Sequence, residues 1–258
     1  MIDTNVNLFH WPFRRLEGDE PADLVRNLRQ KGVTRAWAGS FEGLLHRDVG
    51  GVNARLADAC RRHGANFLVP FGTVNPKQPD WQEDLRRCVE VHQMPGIRLH
   101  PNYHGYTLDD PVVTELLTIT ESRKLLVEIA LAMEDERTQY ALMRIPPVDP
   151  TPLLALVPRM QNLRVVLINA GYQGVHTTEH ISELAKTGSV YFDIARTEGI
   201  GAVARLVKQT SPSRVMFGSH YPFFYFESSF LKVREAGLPD DQALAVMEGN
   251  ARELLKGR

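Results

Sequence analysis

Eight short apolar or β-branched runs, opening at Ile2, Val33, Phe67, Gly96, Leu125, Leu163, Val190 and Val215, recur along the chain, most of them separated by stretches of helical period. Val52, Leu56, Ala59, Cys60 and His63 fall on one helical face that Gly64 ends, and Trp81, Leu85, Cys88, Val89 and His92 repeat the spacing. Val112, Val113, Leu116 and Leu117 follow the capping candidates Asp109 and Asp110. Eight βα units in 258 residues predict an α/β fold of the (β/α)8, or TIM, barrel type. No linker or composition shift divides the chain, so one domain over residues 1–258 is expected. An open doubly wound sheet would give a similar string, but neither GxGxxG nor GxxxxGK[ST] occurs, and GYQG at Gly171 to Gly174 is too short to count.

The same reading removes several chemistries. Lys and Arg number 30 against 31 Asp and Glu, a net charge of −1 that asks for neither nucleic acid nor anionic lipid. No apolar run reaches the roughly 20 residues of a membrane helix, and MIDTNVN lacks the basic and apolar regions of a secretory signal, so a cytoplasmic protein is expected. Cys60 and Cys88 have no CxxC partner and read as buried thiols. Neither a GxSxG elbow nor an HExxH pair is present.

In such a barrel the working side chains stand at the C-terminal strand ends. Asp3, Asn5 and Asn7 on strand 1, at spacing two, are expected on one face. Strand 4 ends in Arg98 and His100, strand 5 contains Glu128, strand 6 ends at Asn169, strand 7 at Asp193 with Arg196 beyond it, and strand 8 runs into Ser219 and His220. Glu128 inside LLVEIAL needs a partner: either it is locked by Arg98 on the neighbouring strand, or it is a general acid, a base or an anionic ligand. His220 is placed to move a proton, to bind a metal, or simply to hydrogen-bond in its loop. His100 and His104 are four apart, but Pro101 is expected to block a helix across them, and His104 suits a backbone contact in its turn. Trp11 and its neighbours His10 and Pro12 are expected to pack above the cavity, and Glu134 to Arg137 to pair within their loop. The block from Tyr221 to Phe226 suits a pocket wall for a planar substrate or a subunit interface, the latter implying a homodimer.

These motifs together resemble the amidohydrolase-related (amidohydrolase 2) family of TIM-barrel metal-dependent hydrolases, which also holds lactone hydrolases and decarboxylases of small aromatic or dicarboxylic acids. IDTNVN stands where that family has D-x-H-x-H, GIRLHPNYHGY at strand 4, LINAG where a strand 6 histidine precedes glycine, FGSHYP where it has G-S-D-Y-P, and MEGNARELL at its closing helix. The resemblance implies that Asn5 and Asn7 replace two histidine ligands, Asn169 a third, and His220 the catalytic aspartate. The strand 5 histidine falls near Glu128 or Ala130.

A divalent metal is the implied cofactor, yet its usual ligands are absent, and a carboxamide oxygen is a poor ligand for zinc and its relatives. Three readings follow. The first is a metal-independent hydrolase or decarboxylase of a small carboxylated compound, in which Arg98 anchors the carboxylate. Asn5, Asn7, Asn169 and His104 bind the substrate, and His220 with Glu128 or His100 moves protons. The second relocates a metal to His100, Glu128 and His220. The third is a barrel that binds a small acid without turnover.

Overall fold

The computed structural model describes residues 1–170 and 178–256; the GYQG segment lies outside them. Its strands are β1 (Ile2–Leu8), β2 (Arg35–Ser40), β3 (Leu68–Thr73), β4 (Gly96–Leu99), β5 (Leu126–Ala130), β6 (Arg164–Ile168), β7 (Ser189–Asp193) and β8 (Val215–Met216). They form one eight-stranded sheet in sequence order, each strand parallel to the next, with helices between, which is the topology of a (β/α)8 barrel.

Alternation along the strands sorts the apolar side chains into two layers. Trp37, Phe71, Leu126, Ala130, Val166, Ile168 and Met216 pack with one another inside the barrel. Their strand neighbours Ala36, Ala38, Val127, Ile129, Val165 and Leu167 join the leucine-rich faces of the surrounding helices. Helix Val49–Gly64 contributes Val52, Leu56 and Cys60 to its buried face, as its periodicity predicts. Gly64 is the last residue of that helix, and a Cβ there would lie 2.4 Å from Leu68 Cγ. Among the described residues no helix is long and apolar enough to cross a membrane.

The seam between β1 and β8 is built differently. With only two residues in β8, closure comes from Thr4 N–H donating to Phe217 O (2.9 Å), Asn7 N–H donating to Tyr221 O (3.0 Å), and the Asp3 carboxylate. Asp3 Oδ1 accepts from the amides of Asn5 (3.1 Å) and Ser219 (3.0 Å), and Oδ2 accepts from the Ser219 hydroxyl (2.5 Å). The register of β1 on β2 shifts between Asp3 and Val6. The spacing of two expected to set Asp3, Asn5 and Asn7 on one face is interrupted by this irregularity, and Asp3 hydrogen-bonds across the seam.

Candidate active site

Arg98 crosses the barrel interior. Its Nε donates to Glu128 Oε2 (2.7 Å), its Nη1 to Asn7 Oδ1 (2.8 Å) and Val6 O (2.9 Å), and its Nη2 approaches Trp37 O (3.5 Å). Gly39 on β2 makes the room, because a Cβ there would lie 2.6 Å from Nη1. Arg98 and Glu128 are register partners, and both side chains are fully buried. Glu128 Oε2 is locked by Arg98, as one of the two expectations for this residue has it. The guanidinium expected to anchor a substrate carboxylate already serves protein acceptors. Burial pushes the Glu128 carboxyl up to about 7 against the opposing charge of Arg98, and its Oε1 has no hydrogen-bond partner.

The three asparagines converge on this core. Asn5 Nδ2 donates to Asn169 Oδ1 (2.9 Å) and to Asp193 Oδ2 (2.7 Å), while Asn169 Nδ2 donates to Ala132 O (2.7 Å). Asp193 Oδ1 takes the Asn169 backbone N–H (2.8 Å). Burial raises the Asp193 carboxyl to about 6, partly offset by these donors. Asn169 holds φ 59°, a left-handed conformation that asparagine tolerates better than most residues. Gly218 completes the fit: a Cβ there would lie 2.6 Å from Asp193 Oδ2 and 3.1 Å from Asn5 Cβ. Gly218→Ala is accordingly expected to cost about 1 to 3 kcal/mol through overpacking. Urea denaturation measures it, and a loss under about 0.5 kcal/mol would show that the neighbours yield.

His220 also has φ in the left-handed region, at 57°. Its Nε2 must carry the proton, since it donates to the carbonyl of Met133 (2.9 Å), and Nδ1 faces the Asn7 amide nitrogen at 3.4 Å. Burial drives its pKa down to about 3, so the ring is neutral. With Nε2–H committed to Met133, its expected work as a proton carrier falls to Nδ1, which must first give up the Asn7 contact. Phe41, Phe223 and Phe224 surround the ring at centroid distances of 6.4, 5.1 and 5.3 Å. Trp11 packs edge-on against Phe223 at 4.8 Å, in the covering role its position suggests. His10 instead pairs with Glu20 at 3.1 Å in the open.

His100 is buried with neither ring nitrogen hydrogen-bonded, and burial holds its pKa well below the usual range. Pro101 does not block a helical turn after it but opens one, Pro101–His104, since a proline at the first position loses no helical hydrogen bond. The His100 and His104 rings lie 6.0 Å apart, and His104 Nε2 meets Gly43 O at 2.9 Å, the backbone role foreseen for it. The register sets Glu128 level with Arg98, and Ala130 one alternation further along the same face. A buried clamp absent from the sequence-based set pins the end of β3: Asn53 exchanges two 2.8 Å hydrogen bonds with the Thr73 backbone. An asparagine on the apolar face of helix Val49–Gly64 is its sequence signal.

The amidohydrolase family model matches residues 12–257. The chain belongs to the amidohydrolase family. Among solved structures, this amidohydrolase-family chain is similar to an uncharacterized TIM-barrel protein from Bordetella bronchiseptica at 12% identity, covering 100% of this chain and 99% of that one with a TM-score of 0.75. It is also similar to 5-carboxyvanillate decarboxylase from Sphingomonas paucimobilis (14% identity, 99% and 98% covered, TM-score 0.73). A third is a dihydroxybenzoic acid decarboxylase from Polaromonas with bound manganese (10% identity, 99% and 96% covered, TM-score 0.72). Among curated proteins none matches. At these identities the likeness is one of fold.

The family's divalent ion does not fit the residues found here. Asn5 directs N–H donors, which repel a cation, at Asn169 and Asp193. The relocated set is not assembled either: among the described residues His100, Glu128 and His220 do not bring ligand atoms within 4.8 Å of one another. Among the described residues the one group of three potential ligands within coordinating reach is His10, Asp19 and Glu20, where Arg15 already bonds both acids.

Proposed function

We propose that this protein cleaves a C–O, C–N or C–C bond in a small carboxylated compound using its own side chains, without the family's usual metal centre. The observation that carries the reading is the Asn5 amide, which stands where the resemblance puts a histidine ligand and gives its two N–H donors to Asn169, a second such position, and to Asp193. The kinship with decarboxylases of 5-carboxyvanillate and dihydroxybenzoic acid supports the substrate class. In this mechanism Asn5 orients the substrate through its Oδ1, which is buried without a partner. Glu128, with its carboxyl raised to about 7 and Oε1 unpartnered, holds or releases a proton near neutral pH. Neutral His100 offers one N–H and one lone pair to the reacting group.

Product formation from a panel of small aryl and dicarboxylic acids, before and after exhaustive chelation, tests this. Turnover is expected to survive chelation and to fall on the order of 10²-fold or more in Glu128→Gln, as removal of a proton-transfer group does. Activity that vanishes with chelator and returns with a divalent ion refutes the metal-free mechanism. The binding-only reading draws on a separate observation, the commitment of Arg98 and of His220 Nε2 to protein partners. Thermal stabilisation by an acid that is never consumed would favour it.

A further inference from the structure

The loops after β1 and β8, with helix Pro21–Gln30, enclose a cleft of about 540 Å³ beside the barrel mouth. That is within the size range of small-molecule sites, roughly 300 to 1,000 Å³. The cleft is separate from the asparagine cluster and shares a wall with it. Phe223 and Phe224 line the cleft, and the same two rings pack on His220 at 5.1 and 5.3 Å. Their backbone N–H groups both donate to the His220 carbonyl, at 2.9 and 3.2 Å. A molecule pressing on either ring therefore acts on the turn that holds His220.

The lining has a definite chemistry. The Arg14 guanidinium sits 5.0 Å from the centroid of Phe223 and gives one N–H to Glu134 (3.0 Å), leaving further N–H groups uncommitted on a side chain 46% exposed. Tyr225, also in the lining, is 80% exposed and supplies a second ring face. A guanidinium fork beside aromatic faces suits a flat ring carrying a carboxylate, which takes paired N–H bonds at its edge and stacks on its face. Glu17, another lining residue, is exposed, and no ion pair neutralises it among the described residues. Its charge disfavours a second negative charge in the same space.

We propose that this cleft is a docking site for a small planar monoanion, seated between Phe223 and Tyr225 with its carboxylate on Arg14, outside the axial cluster and linked to His220 through Phe223. The docking itself needs no turnover; only its use as an antechamber rests on the enzymatic reading above.

Benzoate is the probe, titrated by calorimetry into the full chain, with melting temperatures confirming that each variant is folded. Arg14→Gln is expected to weaken benzoate about tenfold, the loss of one charge-assisted contact. Tyr225→Ala is expected to weaken it too, Glu17→Gln to strengthen it, and Asn7→Ala to leave it unchanged. The ring resonances of His220 are expected to shift as benzoate is added. The proposal is overturned if benzoate fails to bind at millimolar concentration, if Arg14→Gln leaves the affinity unaltered, if Asn7→Ala lowers it as much as Arg14→Gln does, or if His220 does not respond. Binding that follows this pattern without turnover of any acid upholds the cleft and defeats the catalytic reading. Turnover indifferent to Arg14→Gln, with no benzoate in the cleft, does the reverse.

Discussion

Arg98→Met is expected to lose about 3 to 5 kcal/mol of stability, because it leaves Glu128 buried without its cation. Such a loss is a large part of the 5 to 15 kcal/mol by which domains are typically stable, so the variant should be close to unfolding when warmed. Asn7 Oδ1 and Val6 O lose their donor in the same step. Glu128 can relieve part of the cost by keeping its proton, which makes Arg98→Met less damaging at pH 5 than at pH 8. The double variant Arg98→Met, Glu128→Leu removes both charges and should recover most of the stability. Urea denaturation of the wild type, both singles and the double measures the coupling. A single variant costing less than about 1 kcal/mol, or a double no better than the single, would show that the pair does not brace the barrel.

Asp3→Ala should open the seam between β1 and β8. Three buried donors, the amides of Asn5 and Ser219 and the Ser219 hydroxyl, would lose their acceptor. At about 1 to 3 kcal/mol for each orphaned group, offset by the removal of a desolvated carboxyl, a net loss on the order of 3 kcal/mol is expected. Amide hydrogen exchange should locate it, with the Thr4 and Asn7 amides losing protection first. Asp3→Asn keeps the shape and reports on charge. Burial raises the Asp3 carboxyl to about 7, above its value in the unfolded chain, so the folded protein binds the extra proton. The Asp3 contribution is thus fully present below about pH 4 and lost as pH climbs through about 7. Relative to Asp3→Asn, the wild type should weaken between pH 5 and pH 8; strengthening over that interval would mean that Asp3 is ionised and well solvated.

Strand positions were readable because they are local. Ile2, Gly96 and Val215 open their strands where the apolar runs begin, and the other five start within two residues of expectation. The polar strand ends were readable for the same reason, since period-two spacing and a barrel topology suffice to aim Arg98, Glu128 and Asn169 inward. The Arg98–Glu128 pair between neighbouring strands was readable too, but the pairings between distant strands were not. Asn5 and Asn169 are 164 residues apart, and the stagger of the strands around the barrel, to which no local pattern refers, decides that they meet. The proline after His100 misled because its cost inside a helix does not apply at the first helical position. The irregularity in β1 carried no signal at all, and with it went the role of Asp3. The partners of His220 were equally out of reach, one being a backbone carbonyl at Met133.

Gly39 and Gly218 belong to β2 and to the segment that follows β8, the two neighbours of β1, and each leaves space that a polar side chain fills. This arrangement constrains how descendants of the chain can change. A methyl at position 39 collides with the guanidinium, and one at position 218 with the Asp193 carboxylate. Either change made alone is costly, about 1 to 3 kcal/mol for a methyl beside Asp193 and about 3 to 5 kcal/mol for loss of the guanidinium beside Gly39. Each glycine and its charged neighbour therefore tend to be kept or exchanged as a pair, the second change recovering part of what the first one loses.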